Sequence, residues 1–144
     1  MKIANYGLDE LLDTINDSPE PLTGLQDLVN TNIYARFWLE QAVNDKFIEF
    51  DLDELNYKIS TYHPSMAGQL LLNRNTVKVY SEIIVNEKVL LKNRRYQCKS
   101  MIDMLSGGEG QLFVAILKKN VPAMYDNITF EMINTALNTA LNTK

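Results

Sequence analysis

The sequence predicts an all-α, or nearly all-α, single domain over residues 1–144: a small orthogonal bundle of six or seven helices with a C-terminal three-helix unit. Three observations predict it. Apolar residues recur at i, i+3, i+4 and i+7 in several separate windows, the period of a helix with one buried face. Proline, glycine and asparagine punctuate the spaces between those windows. The 144 residues are 46% hydrophobic and 22% charged, which is ordinary globular usage, and a domain of that length buries roughly 68–70% of its unfolded surface without a disulfide or metal staple.

Leu8, Leu11, Leu12 and Ile15 form the first apolar stripe, with Asp9 and Glu10 in the opening turn, where the helix dipole favours acids. Ser18-Pro19-Glu20-Pro21 ends it. A short helix over 22–29 buries Leu22, Leu25 and either Leu28 or Val29. Asn30-Thr31 then interrupts and can cap the next helix, a third over 32–44 that carries Ile33, Phe37, Trp38 and Val43. Residues 46–53 alternate, with Ile48, Phe50 and Leu52 on one side, which fits either one strand or an extended segment laid on helices. Residues 55–64 read as loop, and 65–72 as a short helix after Pro64. Residues 76–85 fit strand through Val77 and Val79 or helix through Tyr80, Ile83 and Ile84; helix is preferred.

The C-terminal third is clearest. Cys98, Met101, Ile102 and Leu105 define a helix over 88–105, Ser106-Gly107-Gly108 breaks it, and Leu112, Phe113, Ile116 and Leu117 define the next. Asn120-Val121-Pro122 stops that helix. Thr129 opens the last one, expected to bury Phe130, Ile133, Leu137 and Leu141.

The net charge of −4 is unevenly spread: residues 1–60 carry −8 and residues 61–144 carry +4. An acidic first part and a basic second part either attract each other or show different faces to partners. The first twelve residues do not read as a signal peptide, because acids interrupt them before an apolar run develops, and no stretch reaches the ~18 apolar residues of a membrane span.

Three signals bear on chemistry. Lys88, Lys92, Arg95 and Lys99 fall at i, i+4, i+7 and i+11, one stripe of a helix, with Arg94 flanking it and Lys118 and Lys119 further along. Such a stripe suits a phosphate backbone, an acidic protein, or the chain's own acidic first third. It also suits a merely solvated face. No aromatic residues interleave it, and the chain is acidic overall. Second, Leu105-Ser106-Gly107-Gly108-Glu109-Gly110-Gln111 resembles the signature loop of ABC-type ATPases, which grips a phosphate with a serine, glycine amides and a helix start. None of the six glycines is followed by lysine, so the phosphate loop of such an ATPase is missing. Ser106-x-x-Glu109 is equally a capping box, with Gly107 and Gly108 reversing the chain between helices. Ser106, Gly107, Gly108 and Glu109 are therefore read as a helix cap and a candidate anion site. Third, Glu49, Asp51, Asp53 and Glu54 form an acidic run, but its spacing fails the calcium-loop pattern, with Asn56 and Tyr62 where glycine and glutamate belong. The single histidine, His63, and single cysteine, Cys98, cannot build a zinc site, and Cys98 lies on the apolar face of its helix, where a thiol is inert. No metal, cofactor or catalytic residue is assigned.

Residues 9–16, 47–52 and especially 92–137 resemble a family of small proteins of T4-like tailed bacteriophages. In that family a helix opening with Lys-Arg and an aromatic meets an acidic turn. A second apolar helix with a Lys-Lys end follows, then an Ile-Thr step into a last helix. The corresponding segments here are 92–105, 106–109, 110–119 and 128–137. This chain departs from the pattern in lacking a Pro-Gly-Pro-Pro-rich middle and in its Gly-Gly turn. The resemblance implies a phage origin and transfers no catalytic residue. The expectation is a non-enzymatic protein-binding or virion-assembly module, located in the virion or the host cytoplasm, with a virion component or host protein as partner. The alternative is a nucleic-acid-associated accessory protein using the basic helix 88–99.

Overall fold

The computed structural model describes residues 7–46, 48, 50–58, 71–105 and 107–142. Among them there are seven α-helices and no strand: α1 (Leu8–Asn16), α2 (Pro21–Thr31), α3 (Ile33–Val43), α4 (Arg74–Val79), α5 (Leu91–Met104), α6 (Gly107–Lys118) and α7 (Phe130–Asn142). Two 3-10 turns (Leu52–Leu55 and Val121–Ala123) and one π-helical turn (Tyr80–Ile84) complete the described elements. The fold is all-α, as the periodicity predicts. No helix among the described residues is long and apolar enough to cross a membrane.

Local chemistry sets the helix ends. Glu10 Oε1 accepts the Gly7 N–H at 3.1 Å, closing the first turn of α1. Pro21 supplies a first-turn residue whose missing N–H would be an orphan anyway. The cap of α3 is Asn32 rather than Asn30-Thr31: its Oδ1 accepts the Tyr34 and Ala35 N–H groups, both at 3.0 Å. Thr129 Oγ1 accepts the Met132 N–H at 3.1 Å and so opens α7. α6 ends in a Schellman turn, with Asn120 N–H donating to Ala115 O at 2.9 Å and Lys119 N–H to Ile116 O at 3.2 Å. Lys119 holds the left-handed position (φ 57°) that glycine usually fills. Its ammonium donates to Gln41 O and to Asn44 Oδ1, neutralising the carbonyl end of α3.

The core is centred on Trp38, fully buried on α3. Phe37, Tyr80 and Phe113 meet one another or the indole edge to face, with centroids 5.0–6.2 Å apart. The Trp38 Nε1–H donates to Leu71 O at 2.7 Å, while the Leu71 N–H donates to Glu109 Oε2 at 3.0 Å. One residue thus ties the start of α6 to the centre of α3, and Glu109, fully buried, is hydrogen-bonded as a buried carboxylate must be. Ser106 lies outside the described residues.

Several expectations change on packing. The C-terminal helices exist, yet α7 packs chiefly on α2 and α3, and α6 on α1, α3 and α5. They join the N-terminal helices rather than standing as a unit of their own. Residues 50–55 form no strand: Phe50, Leu52 and Leu55 are buried, and Asp51 Oδ1 accepts the Asp53 N–H at 2.9 Å to start a 3-10 turn. Ile33 is exposed at the head of α3, and Phe130, expected inside, is 39% exposed at the head of α7. Residues 76–85 are helical, continuing from α4 into the wider π turn. The expected helix at 65–72 lies mostly outside the described residues, as does His63.

Candidate functional site

Helix α5 begins at Leu91, three residues later than the periodicity over 88–105 suggests. The residues before it make their own turn: Asn86 Oδ1 accepts the Lys88 N–H at 2.9 Å and Asn86 O accepts the Val89 N–H at 3.0 Å. Lys88 therefore stands off the helix, and the expected four-residue stripe is broken at its first member.

The basic residues part company further on. Arg95 reaches Glu54 (3.7 Å), and Lys99 reaches Asp103 one turn along (2.7 Å). Arg94 is only 5% exposed and faces inward. Lys118 reaches Asp53 (3.5 Å), and Lys119 serves the end of α3. Lys88 and Lys92 are exposed and make no ion pair among the described residues. The acidic run 51–54 accordingly meets part of the basic half of the same chain, and its carboxylates point to separate cations and caps. Among the described residues no three His, Cys, Asp or Glu side chains gather as metal ligands; Glu49 lies outside them.

The turn at the head of α6 is occupied from within. A Cβ built on Gly108 would come within 1.9 Å of Asp9 Oδ2, so the Asp9 carboxylate lies directly against this glycine. It places a negative charge at the positive end of α6, where a phosphate would otherwise be favoured. Burial, followed by the neighbouring Glu10, raises the Asp9 pKa above its usual value. Cys98 is fully buried, and burial pushes its thiol up to about 12, so it holds no thiolate near neutrality.

A concavity of about 730 Å³ lies beside the π turn. Phe37, Tyr80, Ile84 and Arg94 contribute to it with Lys46 and Val85. π turns are rare and concentrate at functional positions, because the extra residue widens the helix and re-aims its side chains. Val85 lines this cleft and is 39% exposed, and a few residues along the chain Leu90 and Leu91 are 71% and 42% exposed. Three large apolar side chains are thus exposed within seven residues, in a segment that also exposes Glu87, Lys88 and Lys92.

No protein family, curated protein or solved structure matches this chain.

The site is therefore built from Val85, Leu90, Leu91, Lys88 and Lys92, with the cleft alongside. Sequence reasoning found the lysines and missed the leucines. The apolar face of Cys98, Met101 and Ile102, extended backwards, runs through Leu91, so periodicity gives no sign that the body of the protein ends before it. Tyr96 and Met104 are also exposed on α5, and their positions are not part of this patch.

Proposed function

We propose that this chain is a non-enzymatic protein-binding or assembly module that docks through the turn at 85–92. The observation that carries the reading is the exposure of Leu90 and Leu91 beside the exposed Lys88 and Lys92, in the segment that follows the cleft-lining Val85 and Glu87. Burying such leucines against a partner is worth roughly 1.5–3 kcal/mol each in transfer free energy, and the lysines select the partner's orientation. The resemblance of 92–137 to small proteins of T4-like phages supports a virion component or a host protein as that partner, in the virion or the host cytoplasm. The nucleic-acid reading has less behind it, since Arg95 and Lys99 are already engaged with Glu54 and Asp103.

The test is capture by the tagged full chain from infected cells and from purified particles, compared with a Leu90→Asp/Leu91→Asp variant. The expected result is a discrete partner bound by the wild type and lost by the variant, with the helical circular dichroism of the two unchanged. Equal capture by both would contradict the proposal. So would retention on DNA or RNA that a Lys88→Glu/Lys92→Glu variant abolishes while the leucine variant keeps it.

A further inference from the structure

The cleft beside the π turn, about 730 Å³, has the size of a small-molecule site, for which roughly 300–1,000 Å³ is usual. Its lining is of two kinds. Phe37, Ile48, Tyr80, Ile84 and Val85 supply an apolar wall. Gln41, Asn44, Lys46, Ser81, Glu87 and Arg94 supply polar groups. Sites for small molecules combine these two parts, apolar walls that hold the body and a few placed polar groups that fix its orientation.

The polar groups are biased towards donors, and the hydrogen bonds already made show why. Asn44 Oδ1 accepts the Lys46 N–H at 3.1 Å and the Lys119 ammonium at 2.7 Å. Two donors on one side of the amide fix its orientation, so Asn44 Nδ2 is the group that donates to Gln41 Oε1 at 3.0 Å. That bond fixes the Gln41 amide in turn. Its oxygen is occupied, and its Nε2 hydrogens make no hydrogen bond among the described residues. The Lys46 ammonium and the Ser81 hydroxyl make none there either. Arg94 is engaged within the chain and brings a guanidinium with several N–H donors to the buried side of the wall. Glu87 is the one acidic side chain among the described lining residues, and it is exposed, as is Lys46. Charge at the mouth is therefore mixed and open to screening by salt, while the half-buried Gln41 and the buried Arg94 offer donors.

We infer that this cleft binds a small amphipathic anion. The aliphatic or aromatic body lies against Phe37, Tyr80 and Ile84, and a carboxylate or phosphate head accepts from Gln41, Lys46 and Ser81. Leu90 and Leu91 do not line the cleft, so the site is separate from the docking turn and goes beyond the protein-binding reading.

Amide chemical shifts of the isotope-labelled full chain, titrated in turn with octanoate, octyl phosphate and octanol, test this. The expected result is saturable shifts at Gln41, Asn44, Ser81 and Val85 with at least one of the two anions, and octanol weaker by about tenfold or more, the loss of one charge-assisted hydrogen bond. The tighter anion identifies the head group. Gln41→Glu keeps the acceptor for Asn44 and puts a carboxylate oxygen in place of the donor, so it should weaken anion binding by about tenfold or more and leave octanol unchanged. Gln41→Met, which removes the donor without adding charge, should weaken anion binding in the same direction. Ser81→Trp, at an exposed position of the π turn, should fill the cleft and block all three ligands with the rest of the spectrum unchanged. Leu90→Asp/Leu91→Asp should bind the anion as the wild type does, so a failure of the docking reading and a failure of this one are distinguishable. Shifts that do not saturate or that fall elsewhere would overturn the inference. So would octanol binding as tightly as the anions, Gln41 variants that bind them like the wild type, or a folded Ser81→Trp chain that still binds.

Discussion

Two aspartates on this surface respond to acid in opposite directions. The Lys99 ammonium bonded to Asp103, helped by the Lys58 N–H at 2.9 Å, holds the Asp103 carboxyl below the usual carboxylate range. Its contribution to stability is present above the unfolded-state pKa and is lost as pH falls through the lower folded value. Burial, with Asp17 and Glu10 nearby, holds Asp13 above that range. Its charge therefore destabilises the fold near neutrality, and protonation relieves it as pH falls through the raised value. Asp103→Asn should lower the unfolding free energy near neutrality by roughly 0.2–1 kcal/mol, the size of an exposed pair. Asp13→Asn should raise it. Both differences should vanish well below the ordinary aspartate value of 3.8, and a urea titration repeated across pH reads both signs. If the two substitutions shift stability in the same direction near neutrality, the assignment of neighbours is wrong.

At the scale of elements, α6 depends on a glycine for a packing reason. Gly108 leaves the space that the Asp9 carboxylate fills, so Gly108→Ala forces that side chain aside and should cost about 1 kcal/mol. In an Asp9→Ala background the obstacle is gone, and the same change should be neutral or stabilising by roughly 0.5–1 kcal/mol, since alanine favours helix over glycine. A double-mutant cycle in urea measures the coupling, and additive effects would deny the contact.

The elements themselves were largely legible beforehand. α1, α5, α6 and α7 announce themselves through apolar periodicity, because a helix that buries one face must repeat every three or four residues. Residues 76–85 were ambiguous because the run through Val77, Val79 and Tyr80 serves either period, and the π turn that follows has a spacing of its own. The left-handed Lys119 left no local sign, since its compensation comes from Gln41 and Asn44, far away in sequence. Leu71 likewise gains its meaning only from Trp38 and Glu109. For the candidate site, the sequence exposed the lysines and the charge asymmetry. It could not show that the acids at 53 and 54 would engage Lys118 and Arg95.

At the scale of the whole molecule, the buried core and the open surface divide the work. Aromatic and aliphatic side chains around Trp38 close the interior, and Cys98 is sealed inside it. The outside carries the exposed apolar turn at 85–92. The turn at 85–92 is where contact with a partner is proposed. Site-specific photo-crosslinking tests that claim most directly. A photoreactive residue at position 91 of the full chain, in the cells where the protein acts, should give a discrete protein adduct, while the same group at the exposed Lys78 gives none. Adducts with nucleic acid alone at position 91, or the same yield at both positions, would contradict the account.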